Sequence, residues 1–335
     1  MALDKRKISS FFDSEQARER LNAFLKTGNC YPLHVVLHLT TSCNHQCNFC
    51  SNSYNINGSE KHHTLDAQDV IDYVREFKEI GVKNLVISGG GEPLLHKDIS
   101  AILISINNSR LPSSLYSNLD IDLSAGLAKQ LSLLNSVGVN INTLEPSIYK
   151  ATRGNKSNLE RVTSNIKTLQ ALNASLNALV IVRDDTAIAL ENTVTGLAEM
   201  GLKGVTVSSA FEFQYPDKVQ VGKKTFEAME RLKSRDLFGV RVLSPVETSI
   251  KLNGKTFCGS YYFDITIGAD YWAYPCCMTA YMEAYKLFNL SGYASFKQAW
   301  QSKERKRAID KFQPSCETCW FTPLNKTLVE TIKNG

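Results

Sequence analysis

Residues 40–55 read TTSCNHQCNFCSNSYN, and three of the chain's nine cysteines, Cys43, Cys47 and Cys50, fall inside eight of those positions. A second group, Cys258, Cys276, Cys277, Cys316 and Cys319, lies far downstream, and Cys30 stands alone. An odd number of thiols gathered this way is a poor disulfide framework and a good set of metal ligands. Two metal sites is the economical reading.

A structural zinc site closes with four ligands, so three cysteines would need His45, His62 or His63 to complete it. A [4Fe–4S] cluster held by three thiolates instead leaves one iron without a protein ligand, free to chelate a small molecule.

The text around the triplet gives its setting. Short β-rich runs recur at HVVLHLT (34–40), NLVISGG (84–90), SLYSN (114–118), VNINTL (139–144), LNALVIV (176–182) and GVTVSSA (204–210). Segments with helical spacing lie between them; in DAQDVIDYVREFKEIG, Val70, Val74, Phe77 and Ile80 share one face and Gly81 follows as a stop. Helices ending near Gly81, Gly138 and Gly201, each followed by a strand, argue for a parallel sheet in βαβ order. Six strands fall short of a closed eight-stranded barrel, so a partial (β/α)6 TIM-like barrel is expected. In such folds the chemistry sits at the C-terminal ends of strands. The cysteine triplet follows the first run and GGGEP follows the second.

Cys-x3-Cys-x-aromatic-Cys, with Phe49 before the last thiol and SGGGEP after the second strand, resembles the signature of the radical S-adenosylmethionine (SAM) superfamily. The resemblance covers residues 34–210. It implies that Cys43, Cys47 and Cys50 hold a [4Fe–4S] cluster whose open iron takes SAM, and that Gly89, Gly90, Gly91 and Glu92 lie against the methionine amino group. It further implies SAM contacts from Ser117 and Asn118 in LYSNLD, and from Asn142 and Arg153 in NINTLEPSIYKATRG. In this last stretch Asn-Thr-Leu-Glu-Pro stands where many members carry Ser-Leu-Asp. The bland readings are a turn for GGGEP and a solvated surface arginine for Arg153.

The downstream thiols Cys258, Cys276, Cys316 and Cys319 resemble the twitch appendage, a shortened SPASM domain that holds one auxiliary [4Fe–4S] cluster; four-cysteine zinc is the alternative. Expected boundaries are an N-terminal extension over 1–33, the barrel over 34–215, a linker helix region over 216–249 and a small hairpin-and-helix iron–sulfur domain over 250–335. Cys277 is left over: ligand in place of Cys276, buried filler, or a hydrogen donor to a substrate radical. Cys30 shares the last role as a weaker candidate.

Two outcomes share these parts. The adenosyl radical takes hydrogen from a carbon bearing a hydroxyl, and then either the auxiliary cluster accepts an electron to give a ketone, or a thiol returns hydrogen to the other face. The family members that carry a twitch appendage imply a small polar metabolite such as a sugar, aminoglycoside or nucleoside. A ribosomal peptide is the alternative substrate, and a non-catalytic metal-binding protein is a third reading. Acid–base candidates near strand ends are Glu145, Arg183, Glu212 and Tyr215. Such an enzyme draws electrons from a flavodoxin or ferredoxin. A net charge of +5 is too mild for a nucleic-acid partner. Without an apolar signal core or membrane-length run, a cytoplasmic protein is expected.

Overall fold

The computed structural model describes residues 12–52, 62–210, 221–235, 239–243, 247–319 and 321–334. Parallel strands alternate with helices: β1 (His34–Leu37), β2 (Asn84–Ile87), β3 (Ser113–Ser117), β4 (Ser136–Asn140), β5 (Leu176–Val182), β6 (Gly204–Ser209) and β7 (Val240–Val242). They pair in sequence order, each parallel to the next. The connecting helices are α2 (Ala67–Glu79), α3 (Ile99–Ser109), α4 (Ala125–Ser132), α5 (Pro146–Arg153), α6 (Leu159–Ala171), α7 (Leu190–Glu199) and α8 (Lys223–Lys233), with α1 (Glu15–Thr27) ahead of β1.

Alternation along each strand separates two faces. Val35, Leu37, Leu85, Ile87, Val137, Val139, Val180 and Val207 are sealed under the helices. Their neighbours His34, Val36, Asn84, Val86, Asn177, Leu179 and Thr206 are only half-buried and line the inside of the curved sheet. The α2 stripe seen in the sequence is real: Val70, Val74, Phe77 and Ile80 are all buried. Asp66 caps the helix by accepting from the Gln68 N–H, and Gly81 at φ +77° turns the chain into β2.

β4 departs from the sequence reading. It begins at Ser136, three residues before the expected run, and Gly138 lies inside it instead of ending a helix. The reason is packing: a Cβ on Gly138 would run into the Tyr116 ring on β3. Glycine here makes room for an aromatic side chain on the inner face and does not mark a boundary.

Three short strands, β8 (Glu247–Thr248), β9 (Lys251–Leu252) and β10 (Lys255–Thr256), precede β11 (Asp264–Ile267), β12 (Trp272–Tyr274) and β13 (Phe288–Asn289); β14 (Thr318–Cys319) pairs with β8. β11 runs parallel to β1 on the side away from β2, and β12 and β13 continue the sheet antiparallel. The barrel wall is therefore a ten-stranded sheet that reaches across residue 250, with β13 at one edge and β7 at the other.

Helices α9 (Phe296–Gln301), α10 (Lys303–Lys311) and α11 (Thr322–Asn334) close the chain. Trp300 is fully buried, donates to the Cys30 carbonyl at 2.9 Å and lies 3.8 Å from the Arg305 guanidinium. That burial alone contributes about 1.5–3 kcal/mol. α1 packs on α11 through Leu21, Leu324 and Leu328. Among the described residues, no helix is long and apolar enough to cross a membrane.

Candidate active site

The cysteine triplet follows β1 in a loop with no regular structure of its own, so other elements must hold it. The N–H of Gln46 donates to the Arg153 carbonyl and that of Asn48 to the Thr152 carbonyl, at 2.9 and 3.0 Å. These are last-turn carbonyls of α5, groups that a helix leaves without internal partners. The Arg153 guanidinium sits between the Phe49 and Tyr149 rings, 5.4 and 5.2 Å from their centroids, and its Nε donates to Asn142 Oδ1 at 2.8 Å. Arg153 is buried, so the solvated reading fails. Phe49 before the third thiol has a structural role: it gives Arg153 a face to stack on.

A second clamp comes from the end of β3. Asn44 donates to the Asp120 carbonyl, and His45 Nε2 meets Asp120 Oδ2 at 2.8 Å. Asp120 also accepts from the Arg161 Nε and the Asn158 N–H. Desolvation pushes the Asp120 carboxyl up, but these donors outweigh it and hold it below its usual value. His45 is thus committed to a carboxylate, while its Nδ1 is buried without a hydrogen-bond partner. Crowding by protein lifts the Cys43 thiol to about 12, with the Cys47 and Cys50 sulfurs adding to the rise. A group that binds thiolates here must supply the positive charge that stabilises them, as an iron–sulfur cluster does.

The third support is GGGE. The Gly91 N–H donates to the Thr40 carbonyl and the Glu92 N–H to the Ser42 carbonyl. A Cβ at Gly91 would collide with the Ser42 backbone, and one at Gly89 with the His38 ring. These glycines make room for the cysteine loop itself. Glu92 is buried and accepts from Ser117 Oγ at 2.7 Å, from the Asn118 N–H at 2.8 Å and from the Leu94 N–H. Burial raises its carboxyl, and these three donors work against that rise. Asn118 in turn donates to Asn44 Oδ1, and Asn142 to Thr152. Glu92, Ser117, Asn118, Asn142 and Arg153 thus all lie in the three supports that brace the thiol loop.

The second thiol set forms its own cavity. Cys258, Cys276, Cys316 and Cys319 line one space, together with Tyr285 and Phe321. Each sulfur has a polar neighbour: Ser260 on Cys258 at 3.2 Å, Thr279 on Cys276 at 3.5 Å, Tyr285 on Cys316 at 3.3 Å, and the Phe321 N–H on Cys319 at 3.3 Å. Such contacts suit thiolates bound to a cluster. Among the described residues, no three His, Cys, Asp or Glu side chains group closely enough to grip a single metal ion.

Cys277 is not in that cavity lining. It is exposed, yet enough protein surrounds it that desolvation pushes its thiol far up, with the Cys276 and Asp264 charges adding to the rise. Cys30 is buried, donates to the Tyr262 carbonyl and packs beside α1, away from the barrel interior. Of the acid–base candidates, Glu145 is the exposed cap residue of α5, and Arg183 pairs with Asp185 at 3.2 Å and donates to the Asn48 carbonyl. Glu212 and Tyr215 lie outside the described residues. The sequence reading missed Asp120 and His45 as loop clamps, and no motif would have exposed them.

Residues 37–197 match the model of the Radical SAM superfamily. A probable GTP 3′,8-cyclase of Methanocaldococcus jannaschii is 32% identical over 145 residues, covering 43% of this chain and 46% of that protein. An S-adenosylmethionine-dependent nucleotide dehydratase of Selenomonas ruminantium is 24% identical over 171 residues, covering 50% of this chain and 60% of that protein. The chain thus spans about half the length of these curated relatives. Among solved structures, Streptococcus suis SuiB bound to S-adenosylmethionine superposes with a TM-score of 0.66 at 15% identity, over 90% of this chain and 73% of SuiB.

Proposed function

The chain belongs, over residues 37–197, to the radical SAM superfamily, and from that premise we propose that it abstracts hydrogen from a sugar, aminoglycoside or nucleoside-type metabolite and inverts the carbon. Membership implies a [4Fe–4S] cluster and SAM, and Cys43, Cys47 and Cys50 are the residues that would hold the cluster. Reductive cleavage of SAM there supplies a 5′-deoxyadenosyl radical. The clamps from α5, β3 and GGGE fix the loop on rigid elements, which keeps a reactive group within a fraction of an ångström of its position. Cys258, Cys276, Cys316 and Cys319 would hold a second cluster.

The observation that carries the reading is Cys277: an exposed thiol beside a four-thiol cavity and outside it. A thiol in that position can return hydrogen to a substrate radical from the face opposite to abstraction, and the thiyl radical left on Cys277 would then be restored by one electron from a cluster held by the four thiols and one proton from solvent. Where no thiol reaches the carbon, loss of the hydroxyl proton and of one electron, to a cluster held by Cys258, Cys276, Cys316 and Cys319, would give a ketone, the outcome expected when Cys277 is removed. The nucleotides in the relatives' names make purine nucleotides the next substrates to assay. SuiB has also been solved bound to precursor peptide SuiA, which keeps a peptide as the second reading.

The test is anaerobic reconstitution followed by assay in deuterated water. About eight irons are expected, with 5′-deoxyadenosine formed on reduction and one solvent deuterium in the product. Cys277→Ala should keep the iron and the 5′-deoxyadenosine, and lose inverted, deuterated product. Loss of iron in that variant would make Cys277 a ligand, and unchanged product would remove it from the chemistry.

A further inference from the structure

β11 joins the two thiol sites. Its approach, Cys258 to Ser260, lines the four-thiol cavity, and the turn beyond its end presents the Ala269 N–H to the Tyr281 hydroxyl, which in turn meets His38 Nδ1 at 3.2 Å. His38 packs against Gly89 beside the triplet loop. Register puts Asp264 opposite His34 and Thr266 opposite Val36, so both face the inside of the barrel.

Neither side chain is used by the fold. The Thr266 hydroxyl is fully buried without a hydrogen-bond partner. Asp264 makes no hydrogen bond or ion pair with any described residue, although burial lifts its carboxyl to about 7. An unpaired carboxylate held this way destabilises a protein and is kept where it does something else. The hairpin brings Cys277 near it: β12 runs antiparallel with Tyr274 opposite Thr266, so the following residues pass back alongside Asp264, whose charge reaches the Cys277 thiol.

The rest of the inner face carries few ionisable groups, with the His34 imidazole beside Asp264. Among the described inner positions of β1 to β7 and β11, Asp264 is the one carboxylate and Arg241, on the edge strand β7, the one arginine. Asn84, Ser114, Ser136 and Asn177 supply hydroxyl and amide groups. Such a lining has little to offer a triphosphate, which calls for clustered cations.

We propose that Asp264 is the substrate's charged anchor, binding the ammonium group of a hydroxyl-rich small molecule and holding it beside Cys277. This rests on the substrate class proposed above and narrows it to amino-bearing members.

The test is calorimetric titration of the reconstituted enzyme with SAM, using kanamycin, its fully N-acetylated form and GTP as probes. Kanamycin should saturate a single site. Asp264→Asn and N-acetylation should each weaken binding about 10-fold or more, the effect of one charge-assisted contact, while Asp264→Glu restores part of it. GTP should bind no better than acetylated kanamycin. The Asp264→Asn protein should melt no lower than wild type, which a structural role would not allow. Equal kanamycin binding by wild type and Asp264→Asn, no saturable kanamycin binding, or tighter binding of GTP overturns the proposal. Iron content and reductive 5′-deoxyadenosine formation, measured on the same samples, report separately on the radical SAM reading.

Discussion

A hydrogen atom is all that Gly91 can carry. Its α-carbon abuts the Ser42 carbonyl so closely that a methyl group must displace the cysteine loop or the end of β2. Gly91→Ala should lower the melting temperature, at a cost of about 1–3 kcal/mol, and reduce iron retention at the triplet, read by metal analysis of the reconstituted protein. Asp120 gives a prediction with a sign. Its carboxyl is held below its ordinary value in the folded chain, so the stability it contributes is present above its unfolded value and lost as pH falls through the folded one. Asp120→Asn should therefore cost about 2 kcal/mol or more near neutrality. The gap to wild type should close below about pH 4, measured by denaturant unfolding at stepped pH.

At the scale of elements, the loop that bears the triplet is braced by a helix end and two strand ends. Arg153 is the keystone of the helix side, through Asn142, Phe49 and Tyr149. Arg153→Ala should therefore lose iron from the first site while the second stays filled, leaving about four irons and one reduced spectral signal in place of two. Much of this was legible beforehand, because alternation and glycine stops are local properties of the text. The α2 stripe and all six expected strands are present, with β4 alone displaced. What misled there was Gly138, read as a stop when the chain uses its missing side chain to seat Tyr116. The grouping of Cys258 and Cys276 with Cys316 and Cys319 could be read from a resemblance. The clamps Asp120–His45 and Thr152–Asn48 could not, since they join residues that only the folded barrel brings together. Asp264 was invisible for the same reason: its significance is a matter of register, which a single strand does not encode.

Taken whole, the large sheet runs through what the sequence suggested were a barrel and an attachment. Removing everything from residue 250 would strip β11 from β1 and leave a buried central strand as a bare edge. Such a truncated chain should aggregate on size-exclusion chromatography, while Cys258→Ala, which keeps the sheet, should remain monodisperse and lose only the second set of irons. The same continuity makes β11 a ruler. Four residues at about 3.3 Å each give β11 a length of about 13 Å, between its approach at the four-thiol cavity and the turn that meets Tyr281 beside His38. A single residue inserted within the strand would turn Asp264 outward and slide one site past the other. A change of side chain at 264 would leave both sites where they are. On the proposal above, a substitution at 264 would change the molecule bound while the spacing of the two thiol sets stays as it is.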